Sequence, residues 1–164
     1  MTAAGGATVE VVVEVPRGSR NKLEIDDDGI VRFERRLPAS VTFPADYGFV
    51  PGTSASDGER LDALVLMPEP TYPGVRVRGR VIGVFWLMTR HGREPKLVVV
   101  PAGEPVYEGV RDLADLPAHQ LAELSQFFDV YRDLDPRHGV RSDGSGGAQA
   151  AADLLQRSGA ATER

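Results

Sequence analysis

The sequence predicts an α+β fold that is mostly β, built as a small barrel or sandwich. Several short strand-like segments alternate with turns rich in Gly, Pro and Asp, which is typical of barrels and sandwiches rather than of βαβ units. The 164 residues include 18 Gly and 12 Pro, a composition that favours turns over a helical bundle. A chain of this length is expected to form one domain with a sizeable core.

The first predicted strand covers residues 8–15. Valines at its odd positions fall on one face, whereas Glu10, Val12 and Glu14 fall on the other, so we expect a half-buried strand. A Pro-Arg-Gly-Ser turn follows at residues 16–19. Further strands are predicted at residues 22–25, 30–35, 61–67, 75–88 and 97–100.

One stretch of the sequence has clear helical periodicity. In residues 115–134, Leu121, Leu124, Phe128 and Tyr131 recur at the spacing of one helix face. That spacing predicts an amphipathic helix with its apolar side against the strands. A proline and a glycine shortly afterwards are typical of a helix end.

The C-terminal part of the sequence differs in composition from the rest. Residues 142–147 (SDGSGG) predict a flexible linker, and the Ala-rich residues 148–157 predict a short helix. The expected organisation is therefore a flexible N-terminus over residues 1–7, a folded domain over residues 8–139, and a partly flexible linker and helix over residues 140–164.

Cysteine content and charge exclude several classes of function. The absence of Cys excludes disulfides, thiolate nucleophiles and thiolate metal sites. The net charge of −5 argues against nucleic acids and anionic membranes as partners, so the stripe of Arg76, Arg78 and Arg80 is interpreted as a solvated or subunit-facing strand face. No signal peptide or membrane-length apolar run is recognisable, and we expect a cytoplasmic protein.

The richest chemistry lies in the hexapeptide Asp57-Gly58-Glu59-Arg60-Leu61-Asp62. Three carboxylates within six residues, beside a glycine that permits a tight turn, could converge on a Mg²⁺ ion, which prefers oxygen ligands. Taken alone, the hexapeptide is a weak signal and is better explained as a solvated acidic turn. Three other polar clusters, at residues 22–24, 44–49 and 93–96, have similarly ordinary explanations when each is considered separately.

Together, these motifs resemble the soluble family I inorganic pyrophosphatases, in order over residues 9–134. The matching segments are residues 14–24 (EVPRGSRNKLE), 44–51 (PADYGFVP), 57–66 (DGERLDALVL) and 126–133 (QFFDVYRD). The resemblance implies an OB-type β-barrel with flanking helices and Mg²⁺-dependent hydrolysis of pyrophosphate to two phosphates, with Mn²⁺ as a second candidate metal. It also implies a homo-oligomer, which is a hexamer in bacterial members of the family.

The resemblance assigns roles residue by residue. Asp57 and Asp62 would hold the first metal, Asp62 would bridge to the second, and Glu59 would help to deprotonate the attacking water. Glu94 and Glu14 would contact further metals. The residues implied to hold the phosphates are Lys22, Arg35, Tyr47, Lys96, Tyr131 and Arg132, with Glu24 supporting them.

Several positions depart from the family pattern. Glu59 and Glu94 each replace an aspartate, and Arg132 replaces a lysine, so these three keep their charge and change only their reach. Thr89 replaces a metal-binding carboxylate, and Phe43 replaces a tyrosine that would reach a phosphate. Because acid replaces acid and base replaces base, we expect a working but retuned site. The alternatives are a metal-dependent hydrolase repurposed for another phosphorylated metabolite and a catalytically silent binding or assembly paralogue.

Overall fold

Eight strands and two α-helices make up the part of the chain that the computed structural model describes, which is residues 6–38, 41–55, 58–134 and 141–159, with the main chain alone for residues 131–134. The strands are β1 (Thr8–Val15), β2 (Asn21–Ile25), β3 (Val31–Arg36), β4 (Asp46–Val50), β5 (Leu61–Val65), β6 (Arg76–Thr89), β7 (Gly92–Pro101) and β8 (Arg141–Gly147). The helices are α1 (Ala118–Leu134) and α2 (Ala148–Arg157).

Five strands close into a ring. They are hydrogen-bonded in the order β1-β4-β5-β7-β6, and β6 pairs in turn with β1 from Thr8↔Arg80 to Val12↔Arg76. The pairing of β5 with β7 is parallel, and the other pairings in the ring are antiparallel. Because β6 is long, its first part closes the barrel while its second part pairs with β8. The ring confirms the prediction of a small, mostly β barrel.

The first strand is more buried than its alternating pattern predicts. Glu10 is exposed as expected, but Val12 and Glu14 are buried along with the valines of the opposite face. The reason is that β2 and β3 form a separate antiparallel hairpin, and Ile25 at the end of β2 packs with Val12 and Phe49. The expectation of a half-buried strand is therefore wrong for the second half of β1.

The two helices cover different parts of the core. Helix α1 buries Leu124 and Phe128 against one apolar cluster, as the sequence predicts, but it begins at Ala118 because residues 113–115 form a 3-10 turn. Helix α2 follows the predicted bounds and buries Leu155 in a second cluster that includes strands β5 and β7.

The linker predicted at residues 142–147 is wrong, because these residues belong to strand β8, which pairs with β6. Glycines here allow close packing rather than flexibility. A Cβ atom on Gly146 would lie 2.8 Å from the Cβ of Ala150, and one on Gly147 would overlap a carboxylate oxygen of Asp112. Small residues are therefore needed where β8 meets its neighbours.

Two other strands differ from the sequence prediction. The sequence pattern does not predict strand β4, because all five of its residues are buried and they show no alternation of apolar and polar side chains. Its Gly48 lies so close to β1 that an added Cβ would overlap the main-chain oxygen of Val12. Strand β7 begins at Gly92, earlier than predicted.

Residues 1–5 and 160–164, expected to be flexible, lie outside the described residues, and the domain boundaries stay a prediction.

Candidate active site

Neighbouring strands of the barrel bring four predicted site residues together. Asp62 on β5 and Lys96 on β7 are partners in the parallel register, and Tyr47 lies on the adjacent strand β4. The Lys96 Nζ lies 2.5 Å from Asp62 Oδ2, 3.0 Å from Tyr47 Oη and 3.2 Å from Glu94 Oε1. The Tyr47 hydroxyl also donates to Asp62 Oδ2 over 2.8 Å. Four side chains therefore form one hydrogen-bonded cluster.

Burial is uneven across this cluster. Lys96 is 2% exposed, and a buried ammonium is tolerated when opposite charges and hydrogen bonds compensate for the lost water. The side chains of Asp62 and Glu94 remain 27% and 19% exposed, so their carboxylates face the accessible side of the cluster. The arrangement leaves part of each acidic side chain accessible to solvent beside a buried ammonium.

Glu14 lies close to this cluster on β1. It is 5% exposed, and its Oε2 accepts a 2.7 Å hydrogen bond from the main-chain N–H of Ile25. The pKa of Glu14 is raised to about 7, mainly by burial and also by the nearby charges of Asp62 and Glu24, whereas the hydrogen bond from Ile25 and the charge of Arg60 act in the opposite direction. Lost solvation is therefore the main reason that the uncharged form of this carboxyl is favoured.

The β2–β3 hairpin carries a second group of predicted residues. Lys22 pairs with Glu34 at 2.9 Å and stands opposite Arg35 in the hairpin register. Glu24 is exposed two residues further along β2 and interacts electrostatically with Glu14. The hairpin belongs to a different sheet, and it meets the barrel near Glu14 through Glu24 and the main-chain N–H of Ile25.

The remaining predicted residues are only partly described. Glu59 is exposed, and its main-chain oxygen accepts a 2.7 Å hydrogen bond from Ala55 N–H. Asp57 lies outside the described residues, and so do the side chains of Tyr131 and Arg132 in helix α1. Their roles stay predictions.

Comparison with known proteins decides the family. The model of the family described as inorganic pyrophosphatase matches residues 11–163. The chain belongs to the inorganic pyrophosphatase family. It is 42% identical over 147 residues to the inorganic pyrophosphatase of Streptomyces coelicolor, covering 88% of this chain and 90% of that protein. It is 43% identical over 150 residues to that of Corynebacterium efficiens, covering 90% of this chain and 93% of that protein.

Solved structures of the family have the same fold. The crystal structure of inorganic pyrophosphatase from Thermus thermophilus superposes with a TM-score of 0.85 at 36% identity, covering 95% of this chain and 90% of that one. The likeness confirms the predicted OB-type barrel with flanking helices, and the relatives' names confirm a hydrolase that acts on pyrophosphate. In the described part of this pyrophosphatase, none of the helices has the length and apolar character needed to cross a membrane.

Two departures from the family pattern have a structural use in this pyrophosphatase. Phe43 is 1% exposed, and its ring centroid lies 5.3 Å from that of Tyr47 and 5.5 Å from that of Phe127, so it supports Tyr47 from the core. The Thr89 hydroxyl donates to Gly92 O and accepts from the N–H of His91, each over 3.1 Å. It therefore stabilises the turn between β6 and β7.

The donor chemistry of the site fits a divalent cation. Among the residues that the structure describes, no group of three or more His, Asp or Glu side chains is arranged to hold a metal ion. Asp57 is not among these described residues. Asp62, Glu94 and Glu14 offer oxygen donors, the kind that Mg²⁺ and Mn²⁺ take. The raised pKa of Glu14 reflects lost solvation and neighbouring negative charge, which a cation would offset.

Sequence reasoning missed a role for Arg60. Its guanidinium carbon lies 3.5 Å from the ring centroid of Phe49, and its Nη2 donates to the main-chain oxygen of Ile25 over 2.9 Å. The signal in the sequence is an arginine inside an acidic run. Its two partners are distant along the chain, so spacing alone could not identify them.

Proposed function

We propose that this pyrophosphatase hydrolyses inorganic pyrophosphate to two phosphates with Mg²⁺, and that Mn²⁺ can replace it. The observation that carries the proposal is the cluster of Lys96, Asp62, Tyr47 and Glu94. It combines carboxylate oxygens suited to a metal with an ammonium and a hydroxyl suited to phosphate oxygens, on adjacent strands of the barrel. Family membership supports the same substrate.

The carboxylates divide the work. Asp57 and Asp62 would hold the first metal, Asp62 would also bridge to the second, and Glu94 and Glu14 would contact further ions. Bound divalent cations supply neutralisation of the substrate charge and a more acidic water. Glu59 accepts the proton of the attacking water. It is exposed next to the barrel rim, so solvent reaches it.

The basic and hydroxyl groups hold the substrate. Pyrophosphate carries several negative charges, and charge-assisted hydrogen bonds from guanidinium and ammonium groups stabilise both its ground state and its transition state. Lys96 is fixed in the core of the site for this role, with Tyr47 beside it. The other proposed phosphate-binding residues are Lys22, Arg35, Tyr131 and Arg132, and Glu24 orients the basic groups of the hairpin.

We further propose that the enzyme is cytoplasmic and a homo-oligomer, a hexamer by analogy with its bacterial relatives, without nucleic acid or membrane partners. The charge of −5 supports the last point. The arginine stripe on β6 supports it as well, because Arg76 pairs with Glu10 and Arg80 donates to the main-chain oxygens of Tyr107 and Val110.

Phosphate release from pyrophosphate tests the proposal. The purified chain is assayed with excess Mg²⁺, with Mn²⁺ and with a chelator, and Asp57→Ala serves as the blank. We expect turnover with either metal, none with the chelator, and a loss of about 100-fold or more in the variant, because it removes a group that acts in the transition state. Absence of turnover above the blank would contradict the proposal. Faster release from another phosphorylated compound would favour the repurposed hydrolase instead.

A further inference from the structure

The β2–β3 hairpin must be held in register with a barrel to which its sheet does not belong. The hairpin carries Lys22, Glu24 and Arg35, whereas Asp62 and Lys96 lie on the barrel. If pyrophosphate is bound by both groups, the distance between the two sheets becomes part of the active site. Misplacement by about 1 Å can cost on the order of 100-fold in rate.

One residue at the end of β2, Ile25, joins the two sheets through both of its main-chain polar groups. The N–H of Ile25 donates to Glu14 Oε2 over 2.7 Å, and its carbonyl oxygen accepts from Arg60 Nη2 over 2.9 Å. Glu14 lies on β1, and Arg60 immediately precedes β5. The main chain of Ile25 is therefore hydrogen-bonded at both its N–H and its carbonyl oxygen to charged side chains of Glu14 and Arg60. Its side chain packs against Phe49 and Val12.

Arg60 is well suited to hold the carbonyl group of Ile25 in place. Its guanidinium stacks 3.5 Å from the centroid of Phe49, so its plane is fixed by an aromatic ring that is itself 6% exposed. A planar guanidinium held in this way loses little freedom when it donates to a carbonyl. Arg60 also lies between Glu59 and Asp62 in the sequence. A movement of the hairpin is therefore coupled through Arg60 to the position of these two carboxylates.

We propose that Arg60 is a positioning residue, which clamps the β2–β3 hairpin to the barrel and so sets the position of the hairpin's phosphate-binding side chains relative to the barrel's carboxylates. The proposal rests on the proposed function for its catalytic consequence. Its structural consequence, a tethered hairpin, does not depend on turnover or on a bound metal.

The test compares Arg60→Ala and Arg60→Lys with the wild type and with Arg80→Ala. Arg80 is a matched control, since it is also half-buried and donates to two main-chain oxygens, of Tyr107 and Val110, that lie outside the candidate site. Hydrogen exchange of peptides from the hairpin and from β6–β7 is measured in chelator, and kcat and KM for pyrophosphate are measured in Mg²⁺.

In Arg60→Ala we expect faster exchange confined to residues 21–36 and a KM raised by about tenfold, which corresponds to one lost hydrogen bond from a charged group, with a smaller change in kcat. Arg60→Lys restores part of both effects, because it keeps the charge but not the planar fork. Arg80→Ala leaves the hairpin exchange and KM at their wild-type values.

Two results would overturn the clamp. One is wild-type hairpin exchange and wild-type KM in Arg60→Ala. The other is an increase in exchange spread evenly over β6–β7 as well, since Arg60 would then support the whole barrel. A wild-type protein without turnover would reject the proposed function alone, because the exchange comparison in chelator would still decide whether Arg60 tethers the hairpin.

Discussion

At the scale of single residues, the site depends on charges that have been moved out of water. Lys96 is compensated by Asp62, Glu94 and the Tyr47 hydroxyl, whereas Glu14 has a main-chain N–H and the more distant Arg60. Burial without a close positive charge explains the raised pKa of Glu14. Motif matching identifies these residues from the sequence, but their contacts depend on packing that the sequence does not display.

Glu14 predicts a specific pH dependence of stability. Its pKa is raised to about 7 in the folded protein, above the ordinary value of 4.5, so the folded state binds more protons than the unfolded state between these pH values. The free energy of unfolding of the metal-free protein should therefore fall as pH rises through this window. The part of this fall that is due to Glu14 should be up to about 3 kcal/mol. Glu14→Gln keeps an acceptor for Ile25 N–H and should remove this contribution.

Urea unfolding of wild type and Glu14→Gln in chelator, at intervals from pH 4 to pH 8, measures the effect. We expect the variant to gain stability relative to wild type as pH rises and to show no such gain at the acidic end. A stability difference that stays constant across the range would contradict the account of Glu14.

At the scale of elements, the sequence predicts the strands and helices whose local pattern or composition is typical of their structure, and it does not predict those whose residues are shaped by distant neighbours. Strand β1 was recognised from its alternation and helix α2 from its alanine-rich composition, and both keep their predicted bounds. Strand β4 was missed because it is buried on both faces, and β8 because Gly and Ser are typical of linkers. In β8 the composition is required by close neighbours, which no local pattern reveals.

This packing makes Gly147 a test of β8. Gly147 has an ordinary φ of −80°, so Ala would fit its backbone, but the added Cβ would displace the Asp112 carboxylate that accepts from the N–H of Ala148 at the start of α2. We expect Gly147→Ala to lower the free energy of unfolding by about 1–2 kcal/mol, the cost of losing a helix cap.

Gly109→Ala is the matched control, because a Cβ there meets nothing within 4 Å. Thermal and urea unfolding of the two variants provide the comparison, and the control should be unchanged or slightly stabilised. Equal stability of Gly147→Ala and wild type would show that β8 does not pack as described.

At the scale of the whole molecule, closure of the barrel creates the site. Tyr47 and Lys96 are 49 positions apart, and Asp62 and Lys96 are 34 apart, yet they share hydrogen bonds because β4, β5 and β7 are neighbours in the ring. The order of motifs predicts which residues belong to the site. The role of Arg60, by contrast, becomes visible only when the hairpin and the barrel are seen together.

The most direct test of the central claim is the rate of pyrophosphate hydrolysis in Mg²⁺ by the wild type and by Asp62→Asn. The variant keeps the size of the side chain and an acceptor for Tyr47 and Lys96, but it removes the charge that would bind metal. The account predicts rapid turnover by the wild type and a fall in kcat of about 100-fold or more in the variant, measured at a temperature where both proteins are folded, because removing the charge beside the buried Lys96 also lowers the free energy of unfolding. Equal rates for the two proteins would contradict it.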